Sequence, residues 1–144
     1  MSRNVNWLIG IVVMAAVAGT FWAGQSAGED KVKGERVYEL RTYYCLPGRL
    51  EALHKRFSDH TLKLFEKHGM KNEMYWTPTD PAKKDLVLIY VVSHDSPEAA
   101  EKSWKAFRSD PDWIKARDAS EKDGKIVEKV ESVLMTATGF SPKK

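Results

Sequence analysis

Glu39 and Arg41, two residues apart, and the histidines His54, His60 and His68 are the residues of this 144-residue chain whose types and spacing could support chemistry. Glu39 and Arg41 lie in Val37–Tyr44 (VYELRTYY), an alternating run rich in Tyr, Val and Thr with the period of a strand. Side chains alternate across a strand, so Val37, Glu39, Arg41 and Tyr43 share one face and Tyr38, Leu40, Thr42 and Tyr44 the other. The second set suits contact with helices. The first mixes aromatic, apolar and paired charge, and is expected on a sheet face that helices leave uncovered. In water the Glu39–Arg41 pair contributes little. Buried against a second copy of the sheet, it would line a polar interior.

The histidines sit on one helical stretch. From Leu50 to His68, the residues Leu50, Leu53, Phe57, Thr61 and Leu64 recur at steps of three and four, with Lys55, Arg56, Asp59, Lys63 and Glu66 opposite. His60 falls at the edge of the apolar face, where its ring would reach the gap between helix and sheet. There it is either a satisfied structural group or a functional one, for proton transfer or for orienting a ligand carbonyl. A pocket is therefore expected between this helix and the sheet, with His60 as its polar group and Tyr75 and Trp76 nearby. His68, just before Gly69, suits the negative end of the helix.

Metal chemistry finds little support. Glu51 and His54 form an E-x-x-H pair, half of a di-iron signature that needs two such pairs in a helical bundle. The histidine spacings of six and eight are not the i,i+4 of helical metal ligands. The single cysteine, Cys45, excludes an intrachain disulfide and multi-cysteine zinc patterns, and reads as a small buried hydrophobe at a strand end. No phosphate-binding glycine loop, nucleophile elbow or carboxylate dyad is present, so no metal and no cofactor are expected. Trp76, Trp104, Trp113, Tyr43, Tyr75 and Tyr90 read mainly as core, with a subset available to line a small apolar pocket.

The elements that must position these residues follow from local signals. Pro47-Gly48 opens the first helix, and Asn72–Thr77 reads as a second strand. Leu86–Val92 (LVLIYVV) is apolar on both faces, as a central strand is. Ser96-Pro97-Glu98 and Asp110-Pro111-Asp112 each pair an N-cap residue with proline in the first turn, starting two further helices. The first of these carries the apolar stripe Ala100, Trp104 and Phe107. Asp123-Gly124 is a turn, and Lys125–Thr138 a long last strand. The order β-α-β-β-α-β with an extra short helix is an α+β, ferredoxin-like arrangement, with helices on one face of an antiparallel sheet. Something must cover the other face.

Composition bounds the partners. With 42% hydrophobic and 30% charged residues the chain is neither disordered nor low in complexity. A net charge of +3, from 23 basic and 20 acidic residues, gives no argument for a nucleic-acid partner. Residues Trp7–Ala23 run uncharged behind Arg3 and are followed by Gly24–Gly28 (GQSAG). Residues 1–27 are thus expected to be a signal peptide, or an anchor that meets the membrane only through residues 5–23 if uncleaved. Residues 28–35 would be a linker and 36–141 the folded domain. The location expected is periplasmic or secreted, or anchored to the outer side of the cytoplasmic membrane.

Several spaced motifs together resemble the NIPSNAP family. They are Val37–Tyr43 (VYELRTY), Pro47-Gly48-Arg49-Leu50, Phe57-Ser58-Asp59-His60, Leu64–Met70 (LFEKHGM), Trp104-Lys105-Ala106-Phe107, Asp110-Pro111-Asp112-Trp113, Ser120-Glu121 and Ser132. The resemblance spans about residues 36–141. It implies a ferredoxin-like protomer that pairs sheet to sheet as a dimeric α/β barrel. The family's better-known members are mitochondrial and linked to vesicle trafficking and mitophagy signalling, and the export-type N-terminus departs from that setting. The family brings no settled catalytic motif. The expected function is a homodimeric module binding a small apolar or carbonyl-bearing ligand or a protein partner, with His60, Arg41, Glu39, Tyr43, Tyr75 and Trp76 as candidate ligand-binding residues. The alternatives are a small cofactor-free monooxygenase-like oxidoreductase or isomerase, and a structural envelope protein.

Overall fold

A computed structural model describes residues 35–142. The expected signal peptide or anchor at 1–27, and residues 28–34 of the expected linker, lie outside the described residues. Among the described residues no helix is long and apolar enough to cross a membrane.

Four strands form one antiparallel sheet: β1 (Val37–Cys45), β2 (Lys71–Trp76), β3 (Val87–His94) and β4 (Val127–Thr136), in the order β2-β3-β1-β4. A helical arm follows β1. It comprises α1 (Leu50–Arg56), a π-helical turn (Phe57–Thr61) and α2 (Leu62–Lys67). Two helices, α3 (Pro97–Ser109) and α4 (Pro111–Ser120), separate β3 from β4. This is the expected ferredoxin-like order, and the sheet is open rather than closed. The start signals act as their chemistry predicts: Ser96 Oγ accepts from the Ala99 amide at 3.1 Å, and Asp110 Oδ1 from the Asp112 amide at 2.8 Å. Gly69 ends the arm with a φ of 77°, a conformation that costs glycine little.

The core lies between the arm, α3 and one face of the sheet. Leu53, Phe57 and Phe65 of the arm meet Leu88, Tyr90 and Val92 of β3 and Trp104 and Phe107 of α3. Register settles which face of β1 joins them, because directly paired residues share a face. Glu39 pairs with Val92, Arg41 with Tyr90 and Tyr43 with Leu88. Val37, Glu39, Arg41 and Tyr43 therefore face the helices, and Tyr38, Leu40, Thr42 and Tyr44 face outward, the reverse of the expected assignment. Both faces of β1 carry tyrosine and aliphatic groups, so alternation by itself does not orient the strand. Three hydrogen-bond partners from other elements, His94, Trp104 and Ser132, meet Glu39 on the helix side.

The arm departs from an ideal helix at one place. In the π turn the Leu62 amide reaches back to the Phe57 carbonyl, and Thr61 Oγ1 donates to the Arg56 carbonyl at 3.1 Å. The wider turn accommodates one extra residue. Thr61 is buried and His60 is turned to solvent, so His60 does not project into the gap between helix and sheet.

The strand β4 is bare on both sides. Residues 128–136 are all exposed, and Val130 and Leu134 point to the helix side without a helix above them.

Candidate functional site

The charged pair on β1 becomes the centre of a buried polar cluster. Glu39 Oε1 accepts from Arg41 Nη1 at 2.6 Å and from Ser132 Oγ at 2.5 Å. Its other oxygen takes the indole N–H of Trp104 and lies 3.1 Å from His94 Nε2. Four elements thus converge on one carboxylate: β1, β3, β4 and α3. Burial raises the Glu39 pKa, but the hydrogen bonds from His94, Ser132, Trp104 and Arg41 outweigh it and bring it down to about 2. Glu39 is a permanent anion at any physiological pH.

Arg41 occupies the open side of this cluster. Its guanidinium lies 4.2 Å from the centroid of the Trp104 ring and 5.6 Å from that of Tyr43, a cation–π arrangement. The side chain is 16% exposed, beside the uncovered helix-side surface of β4 that carries Ser132 and Leu134. Its Nε is buried and has no hydrogen-bond partner among the described residues. The same is true of His94 Nδ1, although the His94 side chain is wholly buried. A buried nitrogen left unpaired is costly in a finished core and informative near an opening.

Tyr43 continues the cluster inward. Its hydroxyl accepts from Tyr90 at 3.2 Å, and Tyr90 stacks on Tyr75 with centroids 5.2 Å apart and planes at 14°. Burial, with Tyr43 adding to it, pushes the Tyr90 phenol well above its usual pKa, so it stays a neutral donor. Tyr75 and Trp76 line an apolar pocket between the arm and β2, where sequence placed them. The histidine of that pocket is His54, not His60. His60 lies instead in a cleft of about 410 Å³ between the arm and α4, with Asp59, Lys63 and Asp112. The six expected residues therefore separate into three places: Glu39, Arg41 and Tyr43 together, Tyr75 and Trp76 together, and His60 apart.

His68 sits at the C-terminal cap of α2, the helix end expected for it, and also takes on a second contact. Its Nε2 lies 2.6 Å from Asp110 Oδ2, so it ties the arm to the start of α4. Cys45 is buried as expected, and burial raises its thiol pKa despite nearby Arg56, which leaves it a poor nucleophile. Among the described residues no group of three or more His, Cys, Asp and Glu is arranged to hold a metal ion.

Sequence reasoning missed His94 and the polar roles of Trp104 and Ser132. A signal for His94 was present, since Leu88, Tyr90, Val92 and His94 share one strand parity. Trp104 was read only as core, because the helical stripe locates the ring and not the partner of its N–H.

An open four-stranded sheet with helices on one face, and a polar cluster between the layers, defines a ferredoxin-like α+β domain. The NIPSNAP family profile matches residues 38–142, and the chain belongs to the NIPSNAP family. A NIPSNAP family protein of unknown function from Agrobacterium tumefaciens superposes with a TM-score of 0.63 at 20% identity, over 75% of this chain and 93% of that one. An uncharacterised NIPSNAP domain protein from Burkholderia xenovorans gives 0.62 at 19%, over 74% and 99%. A cofactor-independent oxygenase from Streptomyces nogalater gives 0.52 at 14%, over 76% and 100%. At these identities the likeness is one of fold. No curated protein matches the chain.

Proposed function

We propose that this NIPSNAP protein is a homodimeric module that binds a small, apolar, carbonyl-bearing ligand, with Arg41 as the group that meets the carbonyl. The observation that carries the reading is the Arg41 guanidinium, fixed over Trp104 with one nitrogen on Glu39 and its Nε unpaired. Glu39 already neutralises its charge. A second full anion would face that carboxylate, whereas a neutral carbonyl oxygen would not, and the exposed Val130 and Leu134 suit an apolar body.

Dimerisation through the outward sheet face is part of the same proposal. That face carries Leu40, Ile89, Val91 and the exposed Met74, Val133 and Met135, an apolar surface that a monomer would leave in water. Export rests on Arg3 and the uncharged run Trp7–Ala23. A reporter fused after Asp30 is expected to be active outside the cytoplasm, and activity confined to the cytoplasm would refute export.

His94, held by Glu39, favours a second reading: an enzyme that moves a proton from a ligand bound at Arg41. Titration of the purified protein with 1-tetralone, a neutral aryl ketone, tests the first. Binding that weakens about tenfold or more in Arg41→Met supports it, in line with ~1.5–3 kcal/mol for a hydrogen bond to a charged group. Unchanged binding in that variant sinks it. Deuterium exchange at the ketone's α-carbon, lost in His94→Ala, would decide for the enzyme.

A further inference from the structure

We infer that the pocket between the helical arm and β2 is a second binding site, for a small planar aromatic amine. Its walls are Phe57, Leu62, Tyr75, Trp76 and Leu88, and its volume is about 290 Å³, at the small end of ligand pockets. Aromatic walls at that size suit one or two fused rings.

Two backbone irregularities face each other across it. On one side is the π turn, which supplies Phe57 and Ser58. On the other, the register of β2 against β3 shifts between Asn72 and Met74, just before Tyr75 and Trp76. π turns and β-bulges interrupt regular hydrogen bonding and occur disproportionately beside functional sites. Asn72 bridges the two here. Its Nδ2 donates to the Leu62 carbonyl at 3.0 Å, and its Oδ1 accepts from the Tyr75 hydroxyl at 2.5 Å. The Tyr75 ring is thereby held on Tyr90, and its polar end is satisfied away from any ligand.

The polar end of the ligand is specified at the mouth. His54 lines this pocket and also an adjoining polar cavity of about 320 Å³, with Glu51, Thr77, Lys84 and Asp85. Lys84 and Asp85 approach each other at 3.8 Å and largely cancel. Glu51 has no ion-pair partner among the described residues. It sits one turn before His54 on the same side of α1, as residues three apart do. A ring seated against Phe57 and Tyr75, with a short chain passing His54, brings a cationic amine to Glu51.

Isothermal titration of the purified protein with tryptamine and with indole-3-acetate compares the same ring with opposite charges. Tryptamine is expected to bind at least tenfold tighter and to shift the methyl resonances of Leu62 and Leu88. Ser58→Phe, at an exposed position, and Leu62→Phe, at a half-buried one, each fill the pocket and are expected to abolish the Leu88 methyl shifts. Glu51→Gln is expected to bring the two affinities together. Equal affinities in the unaltered protein, absent methyl shifts, or tryptamine binding that survives both filling variants would overturn the proposal.

Discussion

The indole N–H of Trp104 on α3 donates to the carboxylate of Glu39 at the centre of the sheet, and both side chains are buried. A helix is thus fastened to a central strand by a charge-assisted hydrogen bond within the buried polar cluster. Such a bond is strong only while the carboxylate keeps its other donors.

Removing Glu39 is therefore expected to be expensive. Glu39→Ala leaves Arg41 without its counter-ion and strips His94, Trp104 and Ser132 of their acceptor, for a loss of about 3–5 kcal/mol in urea unfolding. Glu39→Gln keeps the shape and one acceptor oxygen and should lose less. In a double-mutant cycle with Trp104→Phe the two changes should couple by ~0.5–3 kcal/mol, and strict additivity would show that the bond contributes nothing.

Acid should unfold the domain through the same group. Glu39 titrates at about 2 in the folded protein against an ordinary 4.5, so the folded state binds fewer protons than the unfolded state between those values. Its stabilisation is complete above about pH 4.5 and is lost as pH falls toward about 2. Asp110 acts in the same direction, because Lys67, His68 and the Asp112 amide hold its carboxyl below the usual range. Melting temperature should be level near neutrality and fall steeply below about pH 4.5, with a shallower acid slope in Glu39→Gln. An identical slope in that variant would refute the assignment.

The elements were legible from sequence because their signals are local. Ser96 and Asp110 cap where their prolines predict, and the apolar run around Leu86–Val92 lies in an inner strand. The two misplacements arose where a local rule needed non-local information. The orientation of β1 depends on donors from α3, β3 and β4 that are far apart in the chain. The placement of His60 depends on a π turn, and a wheel of 3.6 residues per turn contains no sign of one. Tyr75 pairs with Tyr90 and shares its face, whereas Trp76, next in the strand, pairs with Ile89 and takes the other parity. Trp76 meets the pocket at the end of an edge strand, which alternation alone does not foresee.

The outward sheet face gives a direct test of association. Wild-type protein is expected to be a dimer by light scattering at micromolar concentration. Val133→Asp and Met74→Lys each put a charge on an exposed apolar position of that face, and neither disturbs the core. Both should shift the protein to monomer with little change in its far-ultraviolet circular dichroism. A monomeric wild type would refute the proposed dimer.

The last prediction separates two histidines whose importance sequence and structure rank differently. His60 lies on the solvent side of the π turn, in a wide cleft beside Asp59 and Lys63, and no buried group depends on it. His60→Gln should change stability by no more than ~0.5 kcal/mol, as surface substitutions usually do. It should leave ketone binding unchanged as well. His94 is wholly buried, and its Nε2 is one of the four contacts that keep Glu39 ionised. His94→Ala removes that contact and opens a cavity beside Trp104, whose ring centroid is 6.5 Å away. The lost hydrogen bond of ~1 kcal/mol and the cavity together predict a loss of about 2–4 kcal/mol. Because His94 lowers the Glu39 pKa, its removal should also move the Glu39 titration to higher pH, toward the ordinary carboxylate range. A purely space-filling histidine would lower stability by the same amount at every pH. Loss of the Glu39 contact also makes the decline between about pH 4.5 and 2 shallower, so the pH slope of stability in His94→Ala is the measurement that decides.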